Sequence, residues 1–135
     1  MPSPIETVST FLDLWDRPGG LAQAIRDHFT PDAVWENHGF VTSKGIDEAI
    51  GVLAGFGQDA DSLIMQVDTL AIAAQGNKVL TERIDHIVGS DGKPAISFPV
   101  MGIFEITPDG KISAWRDYFD TKGFADQWQP STGAG

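Results

Sequence analysis

The feature that most constrains the fold of this chain is a change of hydrophobic period near Asp61. Before it, apolar residues recur every three or four positions, as on one face of a helix; after it they alternate every second position, as on one face of a strand. Ile5, Val8, Phe11, Leu12 and Trp15 share a helical face, with Ser3 placed to cap it and Pro4 in its first turn, and Arg17-Pro18-Gly19-Gly20 stops it. Leu21, Ala22, Ile25 and Phe29 make a second, shorter helical pattern that ends at the turn signal Thr30-Pro31-Asp32. Val34 to Asn37 reads as a short extended piece. A third helix is expected from about Ile46 to Phe56, with Asp47 and Glu48 near its positive N-terminal end.

Past Asp61, Leu63, Met65, Val67 and Thr69 alternate with Ile64, Gln66 and Asp68, and Gln75-Gly76-Asn77 turns the chain. Lys78 to Val88, Ala95 to Thr107 and Lys111 to Asp120 read as three further strands, separated by the turns Ser90-Asp91-Gly92-Lys93 and Pro108-Asp109-Gly110. A helical turn around Phe124 precedes a polar tail at about 129–135. Helices followed by four long strands joined by tight turns define an α+β domain, an antiparallel sheet with helices packed on one face. A chain of 135 residues fits a single domain, 1–135, and shows neither repeat nor linker.

Charge and cysteine content narrow the function classes. Nineteen acidic against nine basic side chains give a net charge of −10, which repels phosphate backbones and anionic lipid surfaces, so no nucleic acid and no membrane partner is expected. No apolar stretch approaches the roughly 20 residues of a membrane helix. Met1-Pro2-Ser3-Pro4-Ile5-Glu6 offers neither a basic region nor an apolar core for a secretory leader, and with zero cysteines the expected location is cytoplasmic. The lack of cysteine also removes thiolate metal sites and a cysteine nucleophile. His28, His38 and His86 have no metal-ligand spacing, so no metal is expected. Gly-x-Ser-x-Gly and Gly-x-Gly-x-x-Gly are both missing, which leaves no serine-hydrolase elbow and no dinucleotide loop. Carboxylates remain as the main chemical tools.

Strand alternation decides which carboxylates can meet. Val79, Thr81, Arg83, Asp85 and Ile87 share one face of their strand, and Trp115, Asp117 and Phe119 share one face of theirs. Each stripe sets an acid among large apolar groups, so both acids are expected to point into a covered space. Burying a lone carboxylate is costly, and Arg83 is the natural compensating cation. Its fork can bond an acid on each side, and an Asp–Arg–Asp array lets one acid hold a proton while the other stays ionised. That is the division of labour of general acid–base catalysis. An Arg-x-Asp tripeptide alone is more often a solvent-facing ion pair than a catalytic one.

The segments Val79-Leu80-Thr81-Glu82-Arg83-Ile84-Asp85 and Gly110-Lys111-Ile112-Ser113-Ala114-Trp115-Arg116-Asp117-Tyr118-Phe119-Asp120 resemble the two signature strands of the limonene-1,2-epoxide hydrolase family, and Val100-Met101-Gly102-Ile103-Phe104-Glu105-Ile106 resembles the strand between them. The resemblance implies the cone-shaped fold of the nuclear-transport-factor-2-like and polyketide-cyclase-like superfamily. In that fold a curved antiparallel, in part mixed, sheet wraps around three N-terminal helices and encloses a deep apolar pocket. It further implies a cofactor-independent, usually dimeric enzyme that opens an apolar cyclic or aryl epoxide to a vicinal diol in one step. By position, Asp85 would protonate the epoxide oxygen, Asp117 would activate water and Arg83 would bridge them.

The family's water site is completed by an Asn two residues after a Tyr. Here the stretch reads Trp35-Glu36-Asn37, so Asn37 is present and Trp35 stands where Tyr is expected. An indole donates a hydrogen bond but accepts none, whereas a phenol does both. The substitution leaves two alternatives open. Hydrolysis persists with a changed water site, or the same acids serve an isomerisation, elimination or cyclisation of another substrate. A non-catalytic module that holds a small ligand is a third.

Phe98, Val100 and Phe119 are placed by alternation to face the same space as Asp117, as candidates for contact with a small apolar substrate. Trp15, Phe29, Met65, Phe124 and Trp128 are expected in the core or pocket wall. Glu36, His38, Asp59, Asp61 and Asp68 are expected in solvent, and Asp120 as a turn or capping residue.

Overall fold

The first helix, α1 (Pro4–Asp13), forms where its cap dictates: Ser3 Oγ accepts the Glu6 N–H at 3.1 Å and Glu6 Oε1 accepts the Ser3 N–H at 2.8 Å, a reciprocal capping box with proline in the first turn. Its buried face carries Thr7, Val8, Phe11 and Leu12. The second, α2 (Gly20–His28), starts after Gly19, whose φ of 70° is a left-handed conformation and whose added Cβ would sit 2.9 Å from the Asp61 carbonyl. The computed structural model describes residues 2–56 and 59–128, Trp128 in its backbone only. The side chain of Trp128 and the tail 129–135 lie outside the described residues.

The remaining elements are β1 (Phe29–Asn37), β2 (Val41–Lys44), α3 (Ile46–Ala54), β3 (Met65–Gln75), β4 (Lys78–Val88), β5 (Pro94–Ile106), β6 (Ile112–Phe119) and α4 (Thr121–Trp128). The strands form one mixed sheet in the order β2-β1-β6-β5-β4-β3. Every pair is antiparallel except β1 with β6, which is parallel and sets Trp35 beside Trp115 and Asn37 beside Asp117. The register shifts within four of the pairings, at Phe29/Val34, Thr69/Ala71, Ile87/Val88 and Glu105/Ile106. Such irregularities bend strands and raise local twist, and here they curve the sheet around the helices.

Two expectations are corrected. Phe29 to Asp32 belong to β1 rather than to the end of a helix and a turn. Pro31 is tolerated there because the ladder to β6 is interrupted between Phe29 and Val34, so no paired N–H is required of it. The strand β2 was not expected, and it pairs with β1 to form one edge of the sheet.

The core lies between the concave face of the sheet and the helices. An aromatic cluster fills it: Trp115 stacks on Trp35 with centroids 4.5 Å apart and 8° between planes, and on Phe104 at 5.3 Å, while Phe11 and Trp15 close on it at 5.3 and 5.6 Å. Aromatic contacts of this kind add to the burial of large apolar area, and they leave a rigid wall behind the polar groups of the same face.

Candidate active site

Three adjacent strands deliver the polar groups of the concave face. On β4 the alternation expected from sequence holds, so Thr81, Arg83 and Asp85 all point inward and are buried. On β6, Asp117 does the same between Trp115 and Phe119. The strand between them, β5, opposes both with Gly102, which pairs with Thr81 on one side and Asp117 on the other. A Cβ at Gly102 would overlap Asp117 Oδ1 and Arg83 Nη1, so the bare backbone there is what lets the two strands' side chains meet.

Arg83 is fully buried, and all five of its N–H groups have acceptors. Nε and Nη2 bond Asp85 Oδ1 and Oδ2 at 3.1 and 2.8 Å, a bidentate fork. Nη1 and Nη2 reach Asp117 Oδ1 and Oδ2 at 3.3 and 2.9 Å, and Nη1 also donates to Thr81 Oγ1 at 3.0 Å. The Thr81 hydroxyl in turn donates a hydrogen bond to the Gly102 carbonyl at 3.1 Å. Behind the guanidinium lie the faces of Trp15 and Phe104, 5.7 and 5.9 Å from Cζ, a further attraction for a buried cation. Asp117 accepts one more bond, from Trp115 Nε1–H to Oδ1 at 2.7 Å.

With both acids ionised the cluster carries one net negative charge in an apolar wall, and a single added proton neutralises it. Burial pushes the Asp117 carboxyl above the usual carboxylate range; the Arg83 charge opposes this and the Asp85 charge adds to it. For Arg83, burial alone would weaken the charged form, but Asp117 and Asp85 outweigh it and hold the guanidinium more firmly protonated than a free arginine.

Asp85 and Asp117 border a cavity of about 20 Å³, which is room for one water. Trp35, Asn37, Phe98, Phe56, Met65, Leu21, Trp15 and Trp115 complete its wall. The fold thus brings Asp85, Arg83, Asp117, Asn37 and Trp35 together, with Phe98 at the cavity. The space beside the acids is water-sized. Trp35 Nε1 and Asn37 Nδ2 are both buried and have no hydrogen-bond partner among the described residues. Val100 is buried opposite Arg83 and Phe119 in the sheet register, and Phe119 packs on Phe98 and Phe124 at 5.3 and 5.8 Å; neither Val100 nor Phe119 borders the small cavity.

Sequence reasoning assigned no role to three residues of this cluster. Thr81 and Trp115 share a face with the acids by simple alternation, a signal that was available. Gly102 acts through cross-strand register, which a single strand does not reveal. Elsewhere, His86 lies on the opposite face of β4, 2.7 Å from Ser97 Oγ and 2.9 Å from Asp68. His38 pairs with Glu36 at 2.8 Å in an exposed position, and Asp120 Oδ1 caps α4 by accepting the Gly123 N–H at 3.0 Å. Among the described residues no three His, Asp or Glu side chains converge as a metal site would require.

A curved α+β cone thus buries an Asp–Arg–Asp cluster against a water-sized cavity. The family model described as the limonene-1,2-epoxide hydrolase catalytic domain matches residues 2–129, and the chain belongs to that family. The epoxide hydrolase EphG of Mycobacterium tuberculosis is 37% identical over 89 residues, which are 66% of this chain and 56% of that relative's length. The structure of a limonene-epoxide-hydrolase-like epoxide hydrolase from the same organism superposes with a TM-score of 0.73 at 30% identity, over 92% of this chain and 83% of the other. A SnoaL-like polyketide cyclase from Shewanella denitrificans reaches the same TM-score at 16% identity, over 96% and 99% of the two chains, a likeness of fold alone.

Proposed function

We propose that the protein is a cofactor-independent epoxide hydrolase that adds water to an apolar cyclic or aryl epoxide in one step and releases a vicinal diol. The observation that carries this reading is the single water-sized cavity bordered at once by Asp85, Asp117, Asn37 and Trp35. A water there accepts hydrogen bonds from Asn37 and Trp35 and donates one to Asp117. Asp117 takes that proton as the water oxygen attacks an epoxide carbon; the carbon–oxygen bond breaks, and Asp85 gives its proton to the leaving oxygen. One acid gains a proton and the other loses one, so a proton exchange between them restores the array.

The hydrogen bonds support this assignment of roles. Asp117 accepts three, two from Arg83 and one from Trp115, which fix its carboxylate at the cavity wall. Its upward shift makes it a stronger base than an ordinary carboxylate. A purely binding cavity has no use for two buried acids, which weighs against a non-catalytic module.

Incubation with a panel of epoxides in oxygen-18 water tests the reading. Diol carrying one label is expected, with loss of turnover of about a thousandfold or more in Asp85→Asn and Asp117→Asn. No diol from any epoxide would sink it.

The two unpartnered donors at the cavity favour a second reading. Trp35 Nε1–H and Asn37 Nδ2–H together suit a carbonyl or enolate oxygen, and the acids would then serve an isomerisation, elimination or cyclisation. Turnover of an enolisable ketone without label from water would select it.

We also propose a homodimer, supported by Leu70, Leu80, Met101 and Tyr118, large side chains that the sheet leaves exposed. Light scattering at twice the monomer mass is the expected result. Among the described residues no helix is long and apolar enough to cross a membrane, and the cysteine-free composition supports a cytoplasmic location.

A further inference from the structure

A second cavity, of about 610 Å³, lies among the β1–β2 hairpin, α3 and α4 and shares the side chain of Phe56 with the water-sized one. Its volume falls in the range of about 300–1,000 Å³ that small-molecule sites occupy. Phe40, Val52, Phe56 and Phe124 give it apolar walls. One polar group stands out among them. Ser43 is only 3% exposed and its hydroxyl has no hydrogen-bond partner among the described residues. A buried hydroxyl without a partner is costly, and a ligand oxygen would satisfy it as donor or acceptor. Glu48 adds a carboxylate at the exposed rim, in a chain of net charge −10.

We propose that this outer chamber holds the apolar arm of an elongated, electrically neutral epoxide. Ser43 bonds an ester, ketone or hydroxyl oxygen on that arm, and Phe56 separates the arm from the reacting ring. The proposal rests on the hydrolase reading for the word epoxide and on the chamber alone for the arm. Beside the acids there is room for water and little more, so the bulk of a substrate has to lie elsewhere, and the chamber that adjoins Phe56 is where it fits. A free carboxylate at the end of the arm is disfavoured by Glu48 and the acidic surface.

Gly51 supplies the test. It lines the chamber, a Cβ there meets nothing within 4 Å, and it sits inside α3, where a larger residue raises helix propensity. Gly51→Phe therefore fills the chamber without a clash at its root, and Gly51→Leu is the smaller second variant. Three epoxides are compared: styrene oxide, and its para-substituted analogues carrying a six-carbon arm that ends in a methyl ester or in a carboxylate. In the wild type, kcat/KM for the ester-armed compound is expected at least tenfold above that for either other compound. In Gly51→Phe the ratio of ester-armed to unarmed falls at least tenfold, and Ser43→Ala lowers it two- to tenfold. An unchanged ratio in both Gly51 variants overturns the proposal. Binding is read separately with the neutral fluorophore 1-N-phenylnaphthylamine. The ester-armed compound displaces it from the wild type, and Gly51→Phe binds it at least tenfold more weakly. If the wild type opens no epoxide, the hydrolase reading fails, yet the fluorophore still decides the chamber: equal affinity in wild type and Gly51→Phe overturns it.

Discussion

Two ion-pair clusters that share strand β6 teach what a carboxylate and an arginine do on opposite faces of one sheet. On the concave side, Arg83 meets Asp85 and Asp117 with side chains at most 6% exposed. On the convex side, Arg116 meets Glu105 at 2.7 Å with side chains 26% and 29% exposed. Arg116 and Asp117 are neighbours in sequence, and strand alternation alone sends one to solvent and the other into the wall. Inside, every donor of the guanidinium is used and aromatic faces surround it, so the charges interact strongly and are costly to separate. Outside, water competes for the same groups.

The largest effect expected from that contrast follows removal of the inner cation. Arg83→Met leaves two carboxylates in an apolar wall with no counter-charge, which costs about 3–5 kcal/mol of stability at neutral pH and abolishes turnover. Both acids then gain protons more readily, so the lost stability returns as the pH falls, and urea melts at pH 5 and 7.5 read this directly. A loss below about 1 kcal/mol at both pH values would erase the distinction between the two faces.

Next in size is Gly102→Ala. The added methyl would overlap Asp117 and Arg83, and forcing a side chain into packed surroundings costs typically about 1–3 kcal/mol. Because the strain falls on the acid pair, kcat is expected to drop by more than tenfold even where thermal melts show the variant folded. Equal activity would show that the cluster tolerates displacement.

Titration sharpens the comparison further. The Asp117 carboxyl is raised in the folded protein, above the roughly 3.9 of an unfolded aspartate. Between those two values the folded state binds more protons than the unfolded one, so this group's contribution to stability falls as pH rises through the window, and Asp117→Asn removes that slope. In the hydrolase reading, kcat/KM climbs with pH through the same raised value as Asp117 ionises. An acid limb at the ordinary carboxylate position would contradict the burial that sets the shift.

How much of this was legible beforehand divides along the same line between local and cross-strand information. The run Lys78–Val88 is a strand at both ends as expected, and period-two alternation placed Arg83 beside Asp85 and Asp117 between Trp115 and Phe119. These are properties of single strands. The parallel pairing that sets Asn37 beside Asp117 joins residues 80 positions apart, and only the resemblance to a family linked them. Thr30-Pro31-Asp32 reads as a turn because its residues favour one, and the broken ladder that accommodates it is a tertiary feature. Four residues at Val41–Lys44 are too few for a periodic signal, so the strand that helps form the outer chamber stayed hidden. Cavity volume depends on how rings such as Phe56 and Phe98 settle, which residue patterns do not specify.

The smallest expected effect belongs to the convex pair. The hydrogen bond from Arg116 to Glu105 holds the guanidinium above its ordinary value, but both groups remain more than a quarter exposed, so screening by water limits what the contact contributes. A double-mutant cycle of Arg116→Met and Glu105→Gln is expected to give a coupling of about 1 kcal/mol or less, shrinking further in 0.5 M salt, while a cycle on the Arg83 cluster barely responds to salt. The convex face also carries the exposed side chains of Met101 and Tyr118, so protein concentration is a second variable. If two copies associate through that face, water is excluded from Arg116 and Glu105 and their coupling rises with dimer population, towards the value of the buried cluster. Coupling that is small and salt-sensitive at low concentration, and larger at high concentration, would show that burial makes the difference between the two clusters. A coupling above about 2 kcal/mol in the monomer would mean that exposure is not what sets these two clusters apart.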